Sequence, residues 1–316
     1  AVCAIAPGFA LRGAAAAQED RGKSPDKGSS VRPAAATTAA APFTWNAPVP
    51  TNQFSKAGFP AGFSHRTFPS PSMGLEVGYY LYLPPGYEES GERTYPVVFH
   101  LHGGRPGSEA KSIQLIRLVH KAVVAKKIQA TIYVFPNGGP VSWYNYPGLE
   151  NGQGEDVFVK ELIPHLRKTL RTRELAIEGF SQGGRGTTRI LMRYPELFTS
   201  AAPGGSGYGN EKKVQENGGI ESPRVVFAKG DNTWDLAAEY AKRPDKSRLP
   251  ILLWDGTKCF NYESNLLYSD YLKSLGIPHQ LLIIEGVDHS AVRSYEAKGD
   301  DVMQFHQRTF APPSSQ

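Results

Sequence analysis

The feature that constrains this chain most is a short junction. Leu175-Ala176-Ile177-Glu178 runs directly into Gly179-Phe180-Ser181-Gln182-Gly183-Gly184, and a helical stretch, Arg185 to Tyr194, follows. A buried strand that turns into a helix within so few residues forces a sharp bend. The positions two before and two after Ser181 crowd each other there, and glycine fills both without steric cost. Ser181 then projects from the end of a strand, next to a helix N-terminus that favours negative charge.

The flanking pattern extends the argument to a fold class. Leu75 to Leu83 is rich in β-formers and stops at Pro84-Pro85-Gly86. Tyr95 to His102 is a short apolar run ending at Gly103-Gly104, and Ala130 to Phe135 is another, closed by Asn137-Gly138-Gly139. Ser112 to Lys126 and Glu155 to Leu170 have helical spacing. Strands are expected at Phe198 to Ala202, Ile251 to Trp254 and Gln280 to Glu285, and a further one, or an inserted loop, at Arg224 to Ala228. Helices are expected at Asn265 to Ser274 and Ser294 to Phe310. Such alternation implies an α/β fold with a mostly parallel sheet covered on both faces. The stretch Phe43 to Ser72, full of Phe, Pro and Gly, reads as irregular structure packed on the domain.

The 316 residues, 40% of them apolar, suffice for one large domain with flexible ends. Ala1 to Leu11 is mostly apolar, and Ala14 to Ala17 offers the small residues of a cleavage site, so residues 1–17 read as the remnant of a signal peptide. Residues 18–42 read as a disordered linker and 43–316 as the catalytic domain. A net charge of +5, scattered over the sequence, gives no footprint for nucleic acid, and no segment is apolar for long enough to span a membrane. The pattern says nothing of oligomeric state. Of the two cysteines, Cys3 falls in the segment expected to be removed, so no disulfide framework is expected.

A serine is a weak nucleophile without a base. His289, in Gly286-Val287-Asp288-His289-Ser290, follows the last expected strand and so reaches the carboxyl edge of the sheet beside Ser181. His102-Gly103-Gly104-Arg105 provides a glycine loop at the same edge. A backbone N–H there, of Gly103, Gly104 or Arg105 with Gly104 the first choice, and the N–H of Gln182 would form an oxyanion hole. His100 and His102 have no third ligand at a metal-site spacing. Trp143, Tyr144, Tyr146, Trp234 and Tyr262 lie on expected loops, either stacking on a substrate or simply packing the loops down. Arg105 reads as a carboxylate ligand or as an ordinary exposed arginine.

Together, Gly78 to Tyr87, Leu101-His102-Gly103-Gly104, Gly179 to Gly184 and Gly286 to Ser290 resemble the putative esterase family, which includes esterase D, feruloyl esterases and polyhydroxybutyrate-depolymerase-like enzymes. The resemblance covers about Ser70 to Phe310. It implies an α/β-hydrolase fold, a Ser-His-Asp triad, no cofactor, and small or polysaccharide-linked acyl esters, including feruloyl esters, as substrates. One position departs. The family's Gly-x-x-Asp-Phe segment is here Gly256-Thr257-Lys258-Cys259-Phe260, with a cysteine where the acid belongs. Asp255, on the same strand, is the first candidate to replace it. Asp231 and Asp235, or no acid at all, are the alternatives, and Cys259 reads as a bystander thiol. Beside the esterase reading stand a non-catalytic binding protein on the same scaffold and a serine peptidase-like hydrolase.

Overall fold

The computed structural model describes residues 43–312, apart from 106, 212–219, 223–224, 227 and 229. The expected signal-peptide remnant and linker, residues 1–42, lie outside the described residues.

Eight strands form the central sheet: β1 (Phe63–Ser70), β2 (Leu75–Tyr82), β3 (Tyr95–Leu101), β4 (Ile132–Pro136), β5 (Thr172–Phe180), β6 (Ser200–Gly204), β9 (Leu252–Gly256) and β10 (Gln280–Ile284). Their spatial order is β1-β2-β4-β3-β5-β6-β9-β10. The pairs β1/β2 and β2/β4 are antiparallel, and every pair from β4 to β10 is parallel. Parallel strands need crossovers, which place helices on both faces, and β3 accordingly buries all seven of its residues. Two apolar clusters lie on either side of the sheet. One is built around Val97, Phe99, Ile177 and Leu191, the other around Val98, Tyr133, Ala176 and Trp254.

Two expectations need correcting. Phe43 to Ser72 is not wholly irregular, since Phe63–Ser70 forms the edge strand β1, paired in register with β2. Phe63 and Phe68 are buried in the apolar clusters on opposite faces of the sheet, while Arg66, Thr67 and Pro69 are exposed, and a proline is tolerated within an edge strand but not a central one. The strand expected at Phe198 begins at Ser200. The segment expected at Arg224 to Ala228 as a strand or an inserted loop holds, among its described residues, β8 (Val225–Val226), which pairs with β7 (Ile220–Ser222) in a hairpin separate from the central sheet.

The helix Gln182–Arg193 follows β5 and is buried along nearly its whole length, although its sequence is polar and holds three glycines. Tertiary contacts hold it. Arg189 Nε donates to Glu155 Oε2 at 2.8 Å, and its Nη2 donates to Asp231 Oδ1 at 2.7 Å. Glu155 lies in the first turn of a helix that runs as α at Gly154–Asp156, widens to a π-helix over Val157–Leu162 and returns to α over Ile163–Thr169.

Candidate active site

The carboxyl ends of β3, β5, β9 and β10 meet along one edge, where an α/β sheet places its ligands. From β5 comes Ser181, with φ 62° and ψ −118°, a left-handed conformation that a non-glycine residue holds only when its surroundings impose it. The glycines around it are obligatory. A Cβ on Gly183 would lie 1.9 Å from the Leu101 carbonyl oxygen, and one on Gly179 would lie 2.5 Å from that of Gly183. Each of the two closes against backbone, which cannot move aside.

From the segment after β10 comes His289, whose Nε2 lies 2.9 Å from Ser181 Oγ. The rings of Phe180 and Phe260 flank the imidazole, with centroids 4.8 and 4.1 Å away. Burial pushes the His289 pKa below its ordinary value; Asp288 opposes this and Lys111 adds to it. Asp288 itself pairs with Arg293 at 2.8 Å.

The structure differs most from expectation at the third position. Cys259 is no bystander, because its Sγ lies 3.0 Å from His289 Nδ1. With Nε2 accepting the serine O–H, the neutral ring carries its proton on Nδ1 and donates it to the sulfur. The backbone N–H of Asn261 also donates to this sulfur, at 3.4 Å. Asp255 makes no hydrogen bond to His289 among the described residues. It sits behind the thiol, buried and within hydrogen-bonding reach of it. Its carboxylate accepts from Gly256 N at 2.8 Å and from Asn265 Nδ2 at 2.9 Å. Burial raises Asp255 to about 6 and Cys259 to about 12. Asp231 is held by Arg189 and Arg193, and Asp235 accepts from Gly230 N and Asn232 Nδ2, so both are engaged elsewhere.

The glycine loop after β3 lies beside Ser181. A Cβ on Gly103 would stand 3.0 Å from that of Ser181, and Gly104 has φ 86°. His102 fixes this loop. Its ring is buried and pushed down by desolvation to about 4, so it is neutral. Nε2 accepts from Gly138 N at 3.0 Å and Nδ1 donates to Gly103 O at 3.1 Å. Trp143 Nε1 donates to His102 O at 3.0 Å, and Ser142 Oγ to Gly104 O at 2.7 Å. The N–H of Gln182 belongs to the first turn of its helix, where no intrahelical acceptor exists. Nearby, the fully buried Glu109 accepts from Ala47 N, His65 Nε2 and Asn137 Nδ2, a junction with no sequence signature.

Ser181 and His289 open on a cleft of about 360 Å³ lined by Gly103, Gly104, Lys111, Phe180, Ala291 and Val292 among others. None of the five aromatic candidates lines it. Trp143, Tyr144 and Trp234 are buried and pack the loops, and Arg105 lies over the Tyr144 ring at 5.3 Å. His100 donates to the buried Glu178 at 2.7 Å. Among the described residues no group of His, Cys, Asp and Glu could hold a metal ion, and no helix is long and apolar enough to cross a membrane.

A strained serine at the end of a central parallel strand, with an imidazole on its hydroxyl, defines the α/β-hydrolase class. Within that class, residues 70–269 match the model of the family described as putative esterase, and the chain belongs to that family of carboxylic-ester hydrolases. Among solved structures, it is similar to a ferulic acid esterase (20% identity, 78% of this chain and 98% of that one, TM-score 0.64). It also resembles an S-formylglutathione hydrolase from Agrobacterium tumefaciens (18%, 79% and 95%, TM-score 0.63). A ferulic acid esterase from Anaeromyces mucronatus is similar as well (18%, 78% and 90%, TM-score 0.56). At these identities the likeness is one of fold. No curated protein matches.

Proposed function

We propose that the chain is a secreted serine esterase that works through an acyl-enzyme on Ser181, with His289 as general base. The observation that carries this reading is the 2.9 Å contact between Ser181 Oγ and His289 Nε2 at the floor of the cleft. As Ser181 Oγ attacks the ester carbonyl carbon, its proton passes to His289 Nε2, and the carbonyl oxygen becomes an oxyanion facing the N–H groups of Gln182 and Gly104. Collapse breaks the carbon–oxygen bond of the ester, and the imidazolium returns its proton to the departing alcohol. Water then attacks the acyl-serine by the same steps, giving the carboxylic acid and free Ser181.

Phe180, Ala291 and Val292 give the cleft an apolar wall suited to an acyl chain or an aryl acid, and feruloyl esters are the natural candidates given the named esterases of similar fold. Export is inferred from the composition of residues 1–17. The test is hydrolysis of p-nitrophenyl acetate by residues 18–316 beside a Ser181→Ala control. Turnover lost in the control supports the reading. Equal rates in the two proteins would refute it and leave a binding role for the cleft.

A further inference from the structure

A carboxylate normally stabilises the imidazolium that forms during acyl transfer, and here a thiol occupies its place. The hydrogen bonds around that thiol have one consistent direction. Ser181 donates to His289 Nε2, His289 Nδ1 donates to Cys259 Sγ, and the Cys259 S–H is left to donate to the Asp255 carboxylate behind it. Gly256 N donates to Asp255 Oδ1 and Asn265 Nδ2 to Oδ2, which fixes the carboxylate in place as an acceptor that interacts with the thiol.

Building on the serine-esterase reading, we propose that Cys259 is a positioning residue that relays Asp255 to His289, so that Asp255 acts as the acid of the site at one remove. No proton leaves the sulfur in this arrangement. The thiol titrates near 12 and Asp255 near 6, so above neutrality the resting state is a neutral thiol against an ionised carboxylate. The thiol fixes the Nδ1–H tautomer by accepting from it. It also carries the polarisation of the carboxylate to the ring when Nε2 takes the serine proton. A solvent-exposed thiol in contact with His289 would fix the tautomer without supplying charge. The buried acid directly behind Cys259 separates the relay from that case.

The decisive measurement is titration of the His289 ring by NMR, which needs no turnover. The other charged groups facing this ring, Lys111 and the Asp288–Arg293 pair, are left untouched in every variant. The relay requires Cys259→Ala and Asp255→Asn each to lower the His289 pKa by about one to two units. The double variant should fall no further than either single one, because the two act as one path. Cys259→Ser, whose hydroxyl also accepts and donates, should keep the titration within about half a unit of wild type. In the same proteins kcat should fall about ten- to hundredfold in the Ala and Asn variants, with KM little changed.

An Asp255→Asn protein that stays folded and titrates His289 like wild type would overturn the relay, as would additive losses in the double variant. Should Asp255→Asn fail to fold, the relay stands or falls on Cys259→Ala against Cys259→Ser, which must differ by at least about half a unit. Turnover surviving in Ser181→Ala would refute the esterase mechanism, whereas the titration reads the relay separately.

Discussion

Replacing Cys259 by aspartate should make the protein a faster enzyme. The substitution puts a carboxylate oxygen where Sγ now sits, 3.0 Å from His289 Nδ1. With centres about 4 Å apart and an effective dielectric of about 20, carboxylate and imidazolium attract by about 4 kcal/mol. In the wild type the sulfur itself carries no charge, and a carboxylate one sulfur farther off, at an assumed separation of about 6.5 Å, gives about 2.5 kcal/mol by the same expression. Two carboxylates would then touch, but Asp255 already titrates near 6 and would hold a proton against its new neighbour. That proton is shared before and during catalysis, so its cost cancels from the barrier. The difference, about 1.5 kcal/mol, is about tenfold in kcat. The same term raises the His289 pKa by about one unit, so the acid limb of the pH–rate profile should move up by that amount. The imidazole must be neutral to act as base, so the gain is complete only well above this limb. Steady-state kinetics on p-nitrophenyl acetate from pH 5 to 9 measure both effects. A folded Cys259→Asp protein with unchanged kcat and an unmoved acid limb would refute the electrostatic reasoning.

Other consequences follow from the same geometry. Ser181→Ala should lower turnover by about 10⁵-fold or more. It should leave the urea midpoint nearly unchanged, since alanine meets the same left-handed backbone as serine. Gly183→Ala should destabilise the fold by at least about 3 kcal/mol, because the new methyl would collide with the Leu101 carbonyl. A loss below about 1 kcal/mol by urea unfolding would show that the elbow yields more easily than its contacts imply. His102, lowered from about 6.5 to about 4, binds its proton more weakly when folded than when unfolded. Its contribution of about 3 kcal/mol is therefore present above pH 6.5 and lost as pH falls through 4. Asp255, raised to about 6, acts in the opposite direction over an overlapping range, so the check compares the pH dependence of unfolding in wild type with that in His102→Gln.

Much of this architecture was legible because central parallel strands and the turn at Ser181 leave local signatures. β3, β4 and β5 are short apolar runs bounded by glycine or asparagine, and the sharp turn restricts which residues fit around Ser181. β1 was not legible. Its residues Arg66, Thr67 and Pro69 break any apolar run, and only pairing with β2 makes it a strand. Cys259 could be placed at the position of the expected acid from the spacing Gly256-x-x-Cys259, but its contact with the imidazole could not be foreseen. Its chemistry suggested an inert thiol, while contact with His289 depends on two loops after different strands. Asp255 shows the converse. Proximity in sequence pointed to it, yet the side chain reaches Asn265 and the thiol instead of the imidazole. The clamp on the glycine loop joins His102 to Gly138 and Gly103, and a link across 36 residues has no periodicity to betray it.

The desolvated sulfur has a consequence for inhibitor profiling. At pH 7 a thiol that titrates near 12 is thiolate in only about one molecule in 10⁵, and thiolate is the form that alkylating reagents attack. Iodoacetamide should therefore leave the activity intact, while a fluorophosphonate aimed at Ser181 should abolish it. By its inhibitor spectrum such a protein would pass as an ordinary serine enzyme, and the cysteine touching its histidine would go unnoticed.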